Sequence, residues 1–434
     1  MKPFFPAAAL LALGAATAAA QTTPLTLDEC LALAAGNHPA LAAAQASVAA
    51  ATEAVGEARA PYYPQIDLNA GYHRWQRRAF LPSGLTMPGG APPEIVGPLD
   101  DWNGGLVGRV TLFDFGERRA GVEGARAREA GAEAEAAATQ ADVRLNAAAA
   151  FYALAAAQEL QAVAAKNLAR TEAHQHLAQV RREAGAVPQA DVLRTLAEVA
   201  TARLQLIDAR SRVRVSIGQL NTAIGRPATE PLAIAVSPAV NAPPGGAELD
   251  AAVERALDRR PELHAGEKRA EAARAAVTAA RAARAPKLRA DGSYGWRDVD
   301  WTPDTREWQA GVSLDLPLFD GGTRKRRVAR TKAELAREEA ALENRRLQVR
   351  QEVWAAVAEL ERAWAAIEAN EASVRASDES LRVVQERYER GAALITDLLD
   401  TQTALTRAEA SLAEARWSYL TARAAFERAV GAER

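Results

Sequence analysis

Few side chains in this sequence have a type and spacing that could support chemistry. Asp397 and Asp400 stand three residues apart in a helical stretch, and this spacing places two carboxylates on one helix face. Such a pair either attracts cations or stabilises the start of a helix and meets solvent. His174 and His176 are two residues apart on a helix, so they point away from each other and predict surface histidines rather than a metal site.

The other reactive residue types also favour a structural role. Cys30 is the one cysteine, which excludes an internal disulfide and is typical of a small buried residue on a short helix. The basic run at residues 324–327 could suit nucleic acid, but it follows a strand at a helix start, which favours a solvated face near the inner leaflet of a membrane. Because no nucleophile is paired with a base, we predict no enzymatic activity, no cofactor and no bound metal.

The composition predicts long helices. The 434 residues carry a formal net charge of -2, which gives no reason to expect nucleic acid as a partner, and only 5% of them are aromatic. Alanine with Glu, Arg, Gln and Leu is the composition of long helices rather than of a bulky globular core. A positive start, a short apolar run and three alanines at 18–20 predict a signal peptide over residues 1–20. No later stretch is long and apolar enough to predict a transmembrane helix.

An internal two-fold repeat organises the sequence. Leu27 recurs as Leu249, 222 residues later, whereas Gly185 recurs as Gly391, 206 residues later. The difference is an insertion at residues 81–99, where Pro and Gly predict a loop. We therefore predict a first structural repeat over residues 21–224, a Pro-rich linker over 225–246 and a second repeat over 247–434.

Four short stretches have the two-residue alternation of β-strands, near residues 64–75, 102–113, 286–297 and 307–318. One interpretation is an ordinary antiparallel sheet with one face on a core. The other is a transmembrane barrel, with apolar side chains facing lipid, polar ones facing a lumen and aromatic ones at the membrane interfaces. The predicted signal peptide and the aromatic residues at or near the strand ends favour the barrel. These aromatic residues are Tyr72, Trp75, Trp102, Trp296 and Trp308.

Long helices are predicted over residues 116–184, 188–224, 322–390 and 394–430. Their apolar residues recur every seven positions, as in Val192, Val199 and Leu206, which indicates left-handed coiled-coil packing. Four strands cannot close a barrel in a membrane, where unpaired backbone groups are costly, so two, three or more chains must contribute. The predicted fold class is mainly α with a β portion: a long helical coiled-coil barrel plus a transmembrane antiparallel β-barrel shared between subunits.

The sequence resembles the TolC family of outer-membrane efflux proteins over essentially all of the predicted mature chain. The resemblance rests on the internal repeat and on three pairs of motifs. The two copies begin with LDECLALAAGNHPAL and LDAAVERALDRRPEL, and strand joins helix at VTLFDFG and LPLFDGG. The breaks between the long helices read REAGAVPQADVL and YERGAALITDLLDTQTAL.

This resemblance implies a homotrimer that serves as an exit duct for efflux or type I secretion. Its twelve-stranded barrel would lie among the lipids of the outer membrane of a Gram-negative bacterium, and its helical tunnel would cross the periplasm. A periplasmic adaptor (membrane fusion) protein and an inner-membrane pump of RND or ABC type would be its partners. The alternative is a soluble periplasmic coiled-coil adaptor or scaffold, which should show one helical hairpin flanked by small β domains rather than two hairpins.

The resemblance also implies roles for residues at the helix breaks. The hairpin tips that receive the adaptor would include Gly185, Asp191, Gly391 and Asp397. The periplasmic gate would include Asp397, Asp400 and Tyr388, and threefold symmetry would turn the two aspartates into rings of carboxylates that attract and retain cations. Ala393 stands where the gate of the family has an Arg, so a Tyr-Asp-Arg lock of that kind is not expected.

Overall fold

The computed structural model describes residues 24–75, 100–236, 249–302 and 304–432 of the chain. The predicted signal peptide, the insertion at 81–99 and residues 237–246 of the predicted linker lie outside the described residues. The elements are, in chain order, α1 (Leu27–Asn37), α2 (Pro39–Arg59), β1 (Gln65–Arg74), β2 (Asp100–Phe113), α3 (Glu117–Glu183), α4 (Gln189–Ala223), α5 (Leu249–Arg259), α6 (Pro261–Ala282), β3 (Lys287–Asp298), β4 (Arg306–Asp315), α7 (Thr323–Glu389) and α8 (Ile395–Ala429). The same order of helices and strands occurs twice, which confirms the mainly α fold with four strands and an internal repeat.

Polar side chains determine where several helices begin. The Thr26 amide donates to Glu29 Oε2 (2.8 Å) and the Glu29 amide donates to Thr26 Oγ1 (3.3 Å), so α1 starts with a reciprocal capping box. Asp114 accepts hydrogen bonds from two amides at the start of α3, including that of Arg118 (3.0 Å). Asp320 accepts the two equivalent bonds at the start of α7. The repeated Phe-Asp motif is therefore a strand-to-helix cap.

The described residues form two compact units, each built from several parts of the chain. One unit is made of described residues within Met1–His38, Asn146–Ala242 and Ala365–Thr421, and it contains both helix breaks. The other is made of described residues within Pro39–Leu145, Pro243–Trp364 and Ala422–Arg434, and it contains the sheet. None of the helices in the described ranges combines the length and the low polarity that a membrane span needs.

An apolar seam packs the helices of the first unit together. Val199 and Leu206 of α4 are 8% exposed and Leu220 is fully buried. Leu398 and Leu405 of α8 are buried in the same way. Since these residues recur every seven positions or multiples of seven, the predicted coiled-coil packing is confirmed.

The sheet has the strand order β1-β2-β3-β4, and each neighbouring pair is antiparallel. The register aligns apolar side chains in one row that crosses all four strands, namely Leu68, Leu106, Tyr294 and Trp308. Directly paired residues in an antiparallel sheet point to the same side. The four predicted strands therefore share one apolar face.

At the edges of the sheet, no core of described residues covers this apolar face. All ten residues of β4 are exposed, and Leu68 and Trp308 are 76% and 73% exposed. Exposed apolar surface of this kind marks a face that meets lipid or another protein. The ordinary sheet with one face on a core is therefore disfavoured.

Glu262 is the centre of an ionic cluster in the second unit. It lies at the start of α6 and accepts hydrogen bonds from Arg428, from Arg260 (3.1 Å) and from Arg345 (3.5 Å). Arg260 is only 4% exposed and also donates to Glu352. Burial would raise the pKa of Glu262, but the hydrogen bond from Arg428 and the charges of Arg260 and Arg428 lower that pKa to about 2.

This cluster should make the stability of the protein sensitive to acid. Because the pKa of folded Glu262 lies below the ordinary 4.5, its contribution is present above pH 4.5 and is lost as the pH falls toward about 2. Glu262→Gln should lower the free energy of unfolding by about 3 kcal/mol near neutral pH, because the buried Arg260 and the half-buried Arg428 lose the charge that they share. Thermal unfolding measured from neutral pH down to about pH 2 checks both effects.

The matched control is Glu271→Gln, which removes an exposed carboxylate from the same helix. It should melt like the wild type at every pH. A Glu262→Gln variant that loses stability in acid as steeply as the wild type would contradict the role of the cluster.

Candidate functional site

A tight turn built around a glycine joins the two helices of each long hairpin, α3 to α4 and α7 to α8. Gly185 follows α3 and Gly391 follows α7, with φ angles of +71° and +76°, a conformation that glycine adopts without the penalty of a Cβ. In both turns the glycine amide donates to the carbonyl three residues back (2.9 Å), and the next amide donates to the carbonyl five residues back (2.8 Å). This is the Schellman arrangement, so the two predicted hairpin tips have the same turn.

Asp397 and Asp400 are both exposed at the start of α8. Asp397 Oδ2 accepts a hydrogen bond from the Leu394 amide (3.2 Å), one of the amides that the first turn of a helix leaves free. Asp397 therefore helps to start α8, while Asp400 lies almost one turn further along. Asp191 has the equivalent place in α4 and is half-buried. The docking and gate roles of these aspartates stay predictions.

Tyr388 lies inside the tip rather than on its surface. Its side chain is 2% exposed, and its hydroxyl has no hydrogen-bond partner among the described residues. It packs in a cluster with Leu381, Ile395, Leu398 and Leu405. The ring is therefore fixed by apolar packing from α7 and α8.

Arg181 of α3, in the first hairpin, contacts Tyr388 of α7, in the second hairpin. Its guanidinium carbon lies 4.8 Å from the centre of the Tyr388 ring, and its Nη1 donates a hydrogen bond to the Tyr388 carbonyl. Burial raises the pKa of the Tyr388 phenol, the Arg181 charge opposes this rise, and the Asp191 charge adds to it. The phenol is therefore neutral at physiological pH.

The prediction that both histidines lie at the surface is wrong for His174. His176 is exposed, but His174 is only 6% exposed. It lies three residues after Thr171 and four before Ala178, both buried, so it falls on the packed face of α3. Burial and the charge of Arg170 lower its pKa. Across the ranges that the structure describes, no group of three or more His, Cys, Asp or Glu side chains could hold a metal ion.

A buried layer of polar side chains between α3 and α8 was missed by sequence reasoning. Gln402 is 3% exposed, and its Nε2 donates to Thr171 Oγ1 (2.6 Å) and to Asn167 Oδ1 (3.0 Å). Thr406 Oγ1 donates to the same Asn167 oxygen (2.9 Å). The available signal was the position of Gln402, four residues after Leu398, where a coiled coil expects an apolar side chain.

The predicted interface aromatics gather toward one end of the sheet. Tyr72 and Trp102 are paired across β1 and β2, with ring centroids 4.3 Å apart. Trp75 follows β1, and its Nε1 donates to a carboxylate of β2 (3.3 Å). Trp296 and Trp308 lie near the same end, in β3 and β4, and are 44% and 73% exposed. Their place at a membrane interface stays a prediction.

Most of the chain matches a known protein family. Residues 30–226 and 252–432 match the family model described as outer membrane efflux protein. The chain belongs to the outer membrane efflux protein family. The two matched segments lie in the two copies of the internal repeat and include both hairpin tips.

Relatives of the chain are similar to it along most of their length. Protein CyaE of Bordetella pertussis is 30% identical over 386 residues, which are 87% of this chain and 78% of that protein. The pyoverdine export outer membrane protein OpmQ of Pseudomonas aeruginosa is 27% identical over 417 residues, 93% of this chain and 85% of that protein. Among solved structures, the open state of the MtrE outer membrane channel of Neisseria gonorrhoeae has a TM-score of 0.78 at 25% identity, covering 94% of this chain and 90% of that one.

Family membership and fold together define the class of function. The fold is that of outer-membrane channels in which a helical barrel is joined to a β-barrel. The chain is therefore an outer-membrane channel subunit, with a periplasmic helical extension, of an exit duct for efflux or secretion. This family membership favours the channel over the alternative from the sequence, a soluble periplasmic coiled-coil adaptor or scaffold.

Substitution of Gly391 tests the geometry of the second tip. Gly391→Ala should strain the turn by about 1 kcal/mol, because alanine is disfavoured at a positive φ. Amide hydrogen exchange in residues 388–397 should therefore become several-fold faster, while the melting temperature of the whole protein stays close to that of the wild type. Gly121→Ala is the control, because an added Cβ there meets nothing within 4 Å and alanine favours a helix. Tip exchange that is equal in the two variants would argue against the strained turn.

Proposed function

We propose that three copies of this chain assemble into one duct, with a twelve-stranded barrel in the outer membrane and twelve long helices in the periplasm. The observation that carries this proposal is the open sheet, since within the described chain β1 and β4 each pair along one side only. A sheet edge in lipid leaves amides and carbonyls unsatisfied, so β1 of one copy is expected to pair with β4 of the next. Three is the number that the family resemblance implies.

Helix α4 carries a second uncovered surface that supports assembly. Five exposed apolar side chains of α4 are separated in turn by three and by eight residues. The pattern therefore repeats every eleven residues, which keeps these side chains on one face of the helix. Apolar stripes of this length call for a partner surface. The stripe consists of Leu193, Leu196, Leu204, Ile207 and Val215, each between 54% and 58% exposed.

The internal repeat suggests which surface covers this stripe. Within one chain, Gln402 of α8 contacts Thr171 of α3. The repeat equivalents, at an offset of 206 residues, are Leu196 in α4 and Ser377 in α7. We therefore expect α4 of one copy to pack on α7 of its neighbour in the way that α8 packs on α3 within the chain.

Paired cysteines test this assembly in the full-length protein. Leu196→Cys combined with Ser377→Cys should form disulfides between chains on mild oxidation, because the two Cα atoms are expected within about 7 Å of each other. Cys30 is buried and should not react. Non-reducing gels of outer membranes should give dimer and trimer bands, whereas each single-cysteine variant should give neither. Doubly substituted protein that reaches the outer membrane and stays monomeric would count against the trimer.

The two hairpin tips would receive a periplasmic adaptor, and an inner-membrane pump of RND or ABC type would complete the path. Gly185 and Gly391 are exposed and have matching turns, so three copies would present six similar hairpins. In this proposal the protein catalyses no reaction, because the energy for transport comes from the pump. Asp397 and Asp400 are exposed beside one tip, and three copies would bring six carboxylates around the opening.

Charge removal tests the proposed gate. The double variant Asp397→Asn, Asp400→Asn should lose about half or more of the preference of the channel for K⁺ over Cl⁻, because rings of carboxylates favour cations. Reversal potentials across planar bilayers under a KCl gradient measure this preference. Asp378→Asn removes an exposed carboxylate of α7 and serves as the control. An unchanged reversal potential in the double variant would contradict the proposed role of the two aspartates in the gate. It would not contradict the proposed trimer.

A further inference from the structure

Arg181 joins the two helical hairpins at their tips. It lies four residues before Gly185 and is half-buried. Its Nη1 donates to the carbonyl of Tyr388, and its guanidinium lies over the ring of the same residue. Its Nη2 is 3.5 Å from the point where a Cβ on Gly391 would stand. One side chain of the first hairpin thus contacts the ring, the backbone and the turn that end α7 in the second.

Each contact of Arg181 is favourable for a separate physical reason. The Tyr388 carbonyl accepts the Gly391 amide in the turn (2.9 Å) and uses its second lone pair for Arg181. It also lies in the last turn of α7, where the negative end of the helix dipole attracts a cation. The face of a tyrosine ring also attracts a guanidinium. Because the Tyr388 ring is only 2% exposed, water screens this attraction less than it would at an open surface.

The neighbouring arginines of the tips contact their own hairpins instead. Arg182 donates to Gln189, and Arg387 donates to a carbonyl of its own turn (3.3 Å). Arg387 is the repeat equivalent of Arg181, and Ala393 supplies no cation. Of these three arginines, therefore, only Arg181 bridges the hairpins through the contacts of the described residues.

We propose that Arg181 is a positioning residue of the gate, which holds the Tyr388 end of the α7–α8 hairpin against α3 and keeps the duct narrow at its tip. This inference rests on the proposed duct, since a single chain has no opening to narrow. Three copies would carry three such bridges. When the arginine is removed, the α7–α8 hairpin moves independently of α3 and the tip opens more often.

Single-channel recording of the full-length protein in planar bilayers tests this role. Arg181→Ala should raise the fraction of time spent open by about fivefold or more, the range of a typical coupling between two elements. Arg181→Lys keeps the charge but loses the planar fork, so its open fraction should lie between those of Arg181→Ala and the wild type. Arg182→Ala removes the same charge from the next residue and should conduct like the wild type.

Two substitutions of Tyr388 separate this bridge from a lock made by the tyrosine hydroxyl. Tyr388→Leu removes the ring, so adding Arg181→Ala to it should have a smaller effect than Arg181→Ala has alone. Tyr388→Phe keeps the ring and the carbonyl and removes only a hydroxyl that has no hydrogen-bond partner among the described residues. Its effect should therefore be well below that of Arg181→Ala.

The proposal is overturned if Arg181→Ala conducts like Arg182→Ala, or if Tyr388→Phe opens the channel as far as Arg181→Ala does. If Arg181→Ala does not reach the membrane, Arg181→Lys carries the comparison, and a lysine variant identical to the wild type would then count against the bridge. These outcomes differ from a failure of the proposed duct, in which the wild-type protein itself forms no channel.

Discussion

The structure depends on one constraint: a helix of 67 residues, such as α3 or α7, is too long to pack along its whole length against a compact core. The long helices pack instead through narrow seams of side chains that recur every seven residues. Examples are Val199 and Leu206 of α4 and Leu398 and Leu405 of α8. Because the seam fixes how far one helix can slide along another, it also decides which side chains meet at the far ends. The contacts at the hairpin tips therefore depend on the register in which the long helices pack.

One layer of the seam, next to the apolar cluster of the second tip, is polar. Gln402, Thr171 and Asn167 replace apolar contacts with hydrogen bonds, and His174 is buried on the same face of α3. A shift of one helical turn would leave such groups without partners, at a cost of about 1–3 kcal/mol each. A polar layer therefore specifies register at the expense of stability. It lies close to the proposed gate, which would need two defined arrangements rather than a single rigid one.

The sequence predicted most of the fold because its patterns are periodic. Alternation over ten residues identified the strands, a seven-residue repeat identified the seams, and the offset between Gly185 and Gly391 identified two equivalent hairpins. The bridge from Arg181 to Tyr388 could not be found in this way, because it joins residues that are not repeat equivalents and depends on the reach of one long side chain. His174 was placed wrongly for a related reason, since its polarity outweighed its seam position. Recognition of the tip residues came from family resemblance, and physical periodicity alone would have given them no function.

In the proposed trimer the open edges of β1 and β4 make the completion of the sheet a reaction between molecules. Each edge is a row of amides and carbonyls whose partners are supplied by no other strand of the described chain. A lone copy that enters a bilayer is therefore a template for any exposed strand it meets. In the proposed trimer the last strand pairs would form between copies, so the concentration of newly delivered copies would enter the rate of assembly directly. For most proteins crowding of unfinished chains is a hazard, but in the proposed assembly the neighbouring chains are required reactants.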